Sequence, residues 1–118
     1  MKKVLICEDN DDLSTLLRIA LERDGYRVST VEDMDRFLFD AVVFEPDLIL
    51  MDLRMPKVSG EEAVATLRAD ERTAHIPVVL VSANREIGAI AKRLDVPYLS
   101  KPFQLRDLRD VVAEVVPE

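Results

Sequence analysis

Five strand-like segments recur along this chain at regular intervals, and a stretch of helical period follows each of them. The strand-like segments are VLIC (4–7), YRVST (26–30), LILM (48–51), PVVLVS (77–82) and Tyr98–Ser100. The pattern predicts helices over about 11–24, 32–43, 61–69, 85–94 and 104–115. In the first of these, Leu13, Leu16, Leu17, Ala20 and Leu21 fall at i, i+3, i+4, i+7 and i+8, which makes one apolar face. Asn10 is placed to cap that helix, Asp11 and Asp12 suit the positive end of its dipole, and Gly25 ends it.

Five alternations of this length imply an α/β domain around a parallel sheet, because parallel neighbours need a crossover long enough to hold a helix. The first, third and fourth strands are almost wholly apolar, as befits strands covered on both faces. The second alternates, and Pro97 stands where the fifth opens, which places both at the sheet's edges. The strand order 2-1-3-4-5 fits this pattern. Its direction of winding reverses between strands 1 and 3, so a ligand crevice is expected at their carboxyl ends.

Nearly half of the 118 residues are apolar, enough for the core of one domain spanning 1–118. Sixteen Lys and Arg against 23 Asp and Glu leave a formal net charge of −7, which argues against direct nucleic-acid binding, since the duplex carries the same sign. Cys7 is the only cysteine, so no intrachain disulfide can form, and it reads as a small core residue. The opening MKKVLICEDN has too short an apolar run for a signal peptide, and nothing approaches a membrane span. The expectation is a cytoplasmic protein without membrane contact.

The residues that end the strands are polar. Strand 1 runs into Glu8-Asp9, strand 3 into Asp52, strand 4 into Ser82 and strand 5 into Lys101, and the topology brings all five to one crevice. Three converging carboxylates repel, and one takes up a proton unless a cation compensates. A hard divalent cation such as Mg²⁺ does this through carboxylates, waters and substrate oxygens. Lys101 adds a mobile positive charge and Ser82 a hydroxyl donor. Such a set suits phosphoryl transfer, where positioning and charge neutralisation supply most of the catalysis.

The segments CEDN, LILMDLRMP…SGEEA, PVVLVSA and YLSKPF, in this order, resemble the receiver domain of the two-component response-regulator family, over essentially the whole chain. The resemblance implies a flavodoxin-like (βα)5 three-layer sandwich. Asp52 would be the phosphoacceptor, taking the group from a phosphohistidine of a partner histidine kinase or phosphotransfer protein. Asp9 and Asp52 would bind Mg²⁺ directly, Glu8 through water, and Arg54 through its backbone carbonyl. Lys101 would pair with the phosphoryl group, next to a cis Lys101–Pro102 bond. Ser82 would move toward a phosphoryl oxygen and leave room for Tyr98, the switch aromatic, to turn inward. Arg54 and Asn84 would tune the lifetime of the aspartyl phosphate. The implied protein is a switch that controls a downstream partner or effector, and it catalyses only its own phosphoryl transfer and slow self-dephosphorylation.

Singly, each residue also has an ordinary reading: Glu8-Asp9 as a capping turn, Tyr98 as a half-buried edge aromatic, Lys101 as a surface lysine. Their convergence is what these readings leave unexplained. His75 falls in the loop before strand 4, away from the acids, so the phosphodonor must come from elsewhere. Arg54 argues against a haloacid-dehalogenase-type hydrolase, which carries a second Asp at that position, and the absence of a Gly-rich Lys-Ser/Thr motif excludes a P-loop. An interaction module independent of phosphate is the competing function. The interval from Ser82 to Lys101 is about three residues shorter than is usual in the family, nearly one helical turn. It predicts a fourth helix that is short, reoriented or mobile, and leaves open whether the family's homodimer through helix 4, strand 5 and helix 5 forms here. A start at Met followed directly by a strand suggests a natural N-terminus, and with no effector in the sequence after a last helix that ends near Glu118, the chain is either a stand-alone receiver or a piece of a longer protein.

Overall fold

The computed structural model describes residues 1–116; the last helix ends at Val115, and Glu118, near which its end was expected, lies outside the described residues. Five parallel strands, β1 (Lys3–Cys7), β2 (Arg27–Thr30), β3 (Leu48–Asp52), β4 (Val78–Ser82) and β5 (Tyr98–Ser100), form one sheet in the order β2-β1-β3-β4-β5. The helices are α1 (Asp11–Arg23), α2 (Phe37–Phe44), α3 (Gly60–Ala69), α4 (Ile87–Leu94) and α5 (Leu105–Val115). The flavodoxin-like α/β architecture and the strand order expected from the sequence are those observed.

Alternation along the strands divides the core into two layers. Leu5, Cys7, Ile49, Met51, Val78 and Leu80 face α2, α3 and α4, whereas Val4, Ile6, Leu48, Leu50, Val79 and Val81 face α1 and α5. Every residue of β3 and β4 is buried, which is why both read as unbroken apolar runs. Cys7 lies in the first layer, where burial pushes its thiol far above the ordinary range.

Helix ends follow the local chemistry. Asn10 Oδ1 accepts from the Leu13 amide at 3.0 Å, and Gly25 adopts a φ of 93° after α1. The second helix departs from expectation: the segment opens as a 3-10 turn at Met34–Arg36, and the α-helix starts only at Phe37. Asp33 causes this by accepting the Asp35 amide at 3.0 Å, which closes a tight turn before α-helical bonding begins. Helix α3 begins one residue early because Ser59 and Glu62 form a reciprocal capping box. Helix α4 has eight residues, as the shortened interval implies, and starts two residues late because Asn84 Oδ1 takes the Glu86 amide at 2.8 Å. Its far end is tied to α3 by Arg93 on Glu61 and by Arg68 on the Leu94 carbonyl. No helix among the described residues is long and apolar enough to cross a membrane.

Candidate functional site

The carboxyl ends of β1 and β3 bring Glu8, Asp9 and Asp52 together, with carboxylate oxygens within 4.8 Å of one another. Asp52 is the last residue of β3 and Glu8 follows β1, and both are buried at the carboxyl end of these inner strands, while Asp9 is exposed. From the end of β5, Lys101 Nζ reaches Glu8 Oε1 at 2.9 Å and Asp52 Oδ2 at 3.4 Å. The Lys101–Pro102 peptide is cis, as the resemblance implied. Backbone amides hold the remaining carboxylate oxygens: Asn10 donates to Glu8 Oε2 and Arg54 to Asp52 Oδ1, each at 3.2 Å.

Burial pushes the Glu8 carboxyl up to about 7, helped by the neighbouring Asp52 and opposed by the hydrogen bond from Lys101. Lys101 is lowered by its own burial, but its bonds to Glu8 and the charge of Asp52 outweigh this and raise it. One ammonium faces three carboxyl groups, and with all three ionised two negative charges would remain to be matched. A divalent cation with a preference for oxygen matches both the charge and the all-oxygen donor set, so the residues present fit Mg²⁺.

Ser82, the last residue of β4, is buried beside this cluster. Its Oγ accepts the Asn84 amide at 3.0 Å, which leaves the hydroxyl proton to donate, and its carbonyl accepts the Lys101 amide at 2.9 Å. Tyr98 opens β5 and is 46% exposed. Its ring lies on α4 at Gly88, where a Cβ would stand 3.3 Å from the phenol oxygen. Arg54 has an exposed side chain, and His75 is exposed at the opposite end of the sheet, as expected. Glu8, Asp9, Asp52, Ser82 and Lys101 thus gather at the carboxyl end of the sheet, with Arg54 and Asn84 in the loops after β3 and β4, whereas Tyr98 sits at the opening of β5 against α4.

Glu8, expected among the converging carboxylates, makes the shorter of the two Lys101 contacts. One contributor escaped the sequence reading, Gly60: a Cβ there would fall 2.6 Å from the Asp52 carbonyl oxygen and 2.8 Å from the Leu53 Cα. Its amide donates to the Leu53 carbonyl at 2.9 Å, so the loop after Asp52 folds directly onto the start of α3. The signal was available as Ser59-x-x-Glu62, which fixes the helix start and makes Gly60 its first residue. Gly60→Ala is expected to cost about 3 kcal/mol, at the upper end of ordinary overpacking because backbone must yield. Denaturant unfolding of the variant checks this; an unchanged midpoint would show that the loop adapts freely.

The response regulator receiver domain model matches residues 4–113 of the chain. The DNA-binding dual master transcriptional regulator RpaA of Synechocystis sp. is 39% identical over 111 residues, covering 92% of this chain and 46% of RpaA. The chain spans about half the length of such transcriptional regulators. The polar-differentiation response regulator DivK of Brucella ovis is 42% identical over 107 residues, 88% of this chain and 87% of DivK. Among solved structures, the receiver domain of the sensor histidine kinase PA1611 from Pseudomonas aeruginosa superposes with a TM-score of 0.87 at 29% identity. That match covers 99% of this chain and 98% of the other, whose active-site cleft coordinates a magnesium ion.

Proposed function

Because this chain belongs to the response regulator receiver family, we propose that residues 1–118 form one receiver domain whose Asp52 accepts a phosphoryl group from a partner histidine kinase or phosphotransfer protein. The observation that carries this reading is the buried Asp52 carboxylate at the tip of β3, facing Lys101 Nζ at 3.4 Å with Glu8 and Asp9 alongside.

The Asp52 carboxylate supplies the oxygen nucleophile. It attacks the phosphorus of a phosphohistidine, the P–N bond breaks, and its electron pair returns to the donor's imidazole, leaving an acyl phosphate. The Arg54 amide on Oδ1 fixes the carboxylate plane. Lys101 pairs with the transferred group's oxygens, aided by its existing place between Glu8 and Asp52. Asp9 and Asp52 would hold Mg²⁺ directly, with Glu8 through water and the Arg54 carbonyl. Bound there, the ion supplies neutralisation of the charge on the phosphoryl oxygens.

The switch follows from what the phosphoryl group offers nearby. Ser82 donates its free proton to a phosphoryl oxygen, and Tyr98 leaves its place on Gly88 to fill the space vacated. Phosphorylation then shifts the population of the face made by α4, β5 and α5, which a downstream partner or effector reads. Arg54 and Asn84 flank the path of an attacking water and tune how long the phosphate lasts.

Beryllofluoride, which mimics an aspartyl phosphate, provides the test. In ¹H–¹⁵N spectra recorded with Mg²⁺, its addition is expected to move the amides of Ser82, Tyr98 and residues 87–94. A spectrum unchanged outside the immediate surroundings of Asp52 would replace this reading with that of an interaction module whose output does not depend on phosphate.

A further inference from the structure

Seven of the eight residues of α2, FLFDAVVF, are apolar, and Asp40 is the single polar one. A helix apolar all round is ordinarily buried all round. Here Phe37 and Ala41 face the core, yet Phe39 is 57% and Val43 65% exposed, one turn apart on the outer side. Leu38 and Val42, on the neighbouring stripe, each line an open hollow, one against Thr66 and Ala69 of α3 and the other against Ile76 and Pro77. The Arg36 guanidinium stacks 4.6 Å from the centre of the Phe39 ring and extends the apolar surface with its stem. Exposed apolar surface of this continuity marks a site of association.

The charge around it selects the partner. Residues 32–45 include five acids, Glu32, Asp33, Asp35, Asp40 and Glu45, against the single base Arg36. Lys57 is held by Asp33 and Asp35, and the rims of the two hollows add Glu71, Asp47 and His75, with Arg72 held by Asp70. A second copy would set Asp40 and Glu45 near their own counterparts across a twofold axis, in a chain already at −7. Nucleic acid and anionic lipid are repelled for the same reason. We propose that the outer face of α2 docks a basic amphipathic helix of another protein, with its apolar stripe on Phe39 and Val43 and its Lys or Arg residues over Asp40, Glu45 and Glu71. This surface is distinct from the acidic cleft and does not depend on phosphorylation.

The probe is a synthetic leucine–lysine peptide with leucines at i, i+3, i+4 and i+7, compared with a scrambled peptide of the same composition. Amide shift perturbations from the periodic peptide are expected to centre on residues 36–45 and to fade as salt rises. Phe39→Ser and Val43→Ser, at exposed positions, and Asp40→Lys, at a half-buried one, are each expected to weaken binding about tenfold by fluorescence polarisation, the two serine variants without changing the melting temperature by more than a few degrees. Equal binding of the scrambled peptide, or perturbations centred on Glu8, Asp9 and Asp52, would overturn the proposal. So would light scattering that showed a dimer of the unaltered chain dissolved by Phe39→Ser, which would make the occupant a second copy.

Discussion

Asp52→Asn protein treated with acetyl phosphate and Mg²⁺ is expected to keep its mass, whereas the unaltered chain gains one phosphoryl group. The amide matches the carboxylate in volume, and its oxygen can still accept the Arg54 amide that now bonds Oδ1. What disappears is the anionic oxygen that attacks phosphorus, and no neighbour replaces it. Glu8 already serves Lys101 and the Asn10 amide, and Asp9 lies out at the exposed mouth of the cleft. The fold is expected to survive. Removing one of three crowded acids relieves repulsion, so the variant should melt at or above the temperature of the unaltered chain. Intact-mass spectrometry and thermal melts together separate lost chemistry from lost structure. A variant that still gains the phosphoryl mass would move the acceptor to another side chain.

The fold was legible because burial on both faces leaves a strong mark. LILM and VVLV are unbroken apolar runs, and a parallel sheet is the ordinary way to cover both faces of such strands. The cleft was legible for a related reason: Glu8, Asp52, Ser82 and Lys101 are polar residues placed where strands stop, and topology alone gathers strand ends. The 3-10 opening of the second helix was less so. It depends on whether the Asp33 side chain or the next turn of helix takes an amide, a contest settled by local geometry that apolar periodicity does not register.

Contacts between separate helices left no trace at all. Arg93 pairs with Glu61 and Arg68 reaches the Leu94 carbonyl, and nothing in either segment's spacing announces the other. These ties matter for the proposed switch. A shortened α4 is held at its far end by α3, while its first turn carries Gly88 beneath the Tyr98 ring. The short interval from Ser82 to Lys101 thus yields an anchored helix with a seat for Tyr98. The packing of α2 was likewise hidden, since FLFDAVVF reads as core whichever of its apolar side chains end up outside.

Lys101→Ala tests the electrostatic logic of the cleft most directly. Without the ammonium, Glu8 and Asp52 lose the hydrogen bonds at 2.9 and 3.4 Å that offset their proximity. Breaking a fully buried pair costs about 3–5 kcal/mol, but Lys101 is partly open to water, so a loss of about 1–2 kcal/mol is expected. Phosphorylation by acetyl phosphate should slow roughly 10²-fold, the usual effect of removing one charge-stabilising donor. The more telling result concerns added metal. In the unaltered chain Lys101 already neutralises part of the cluster, so a divalent cation entering it meets less unbalanced charge. In the variant that charge is fully exposed to the ion, and Mg²⁺ should therefore raise the melting temperature by more than it does in the unaltered chain. Melts with and without MgCl₂ compare the two increments. An equal or smaller increment in the variant would mean that the cation and Lys101 do not share the same carboxylates.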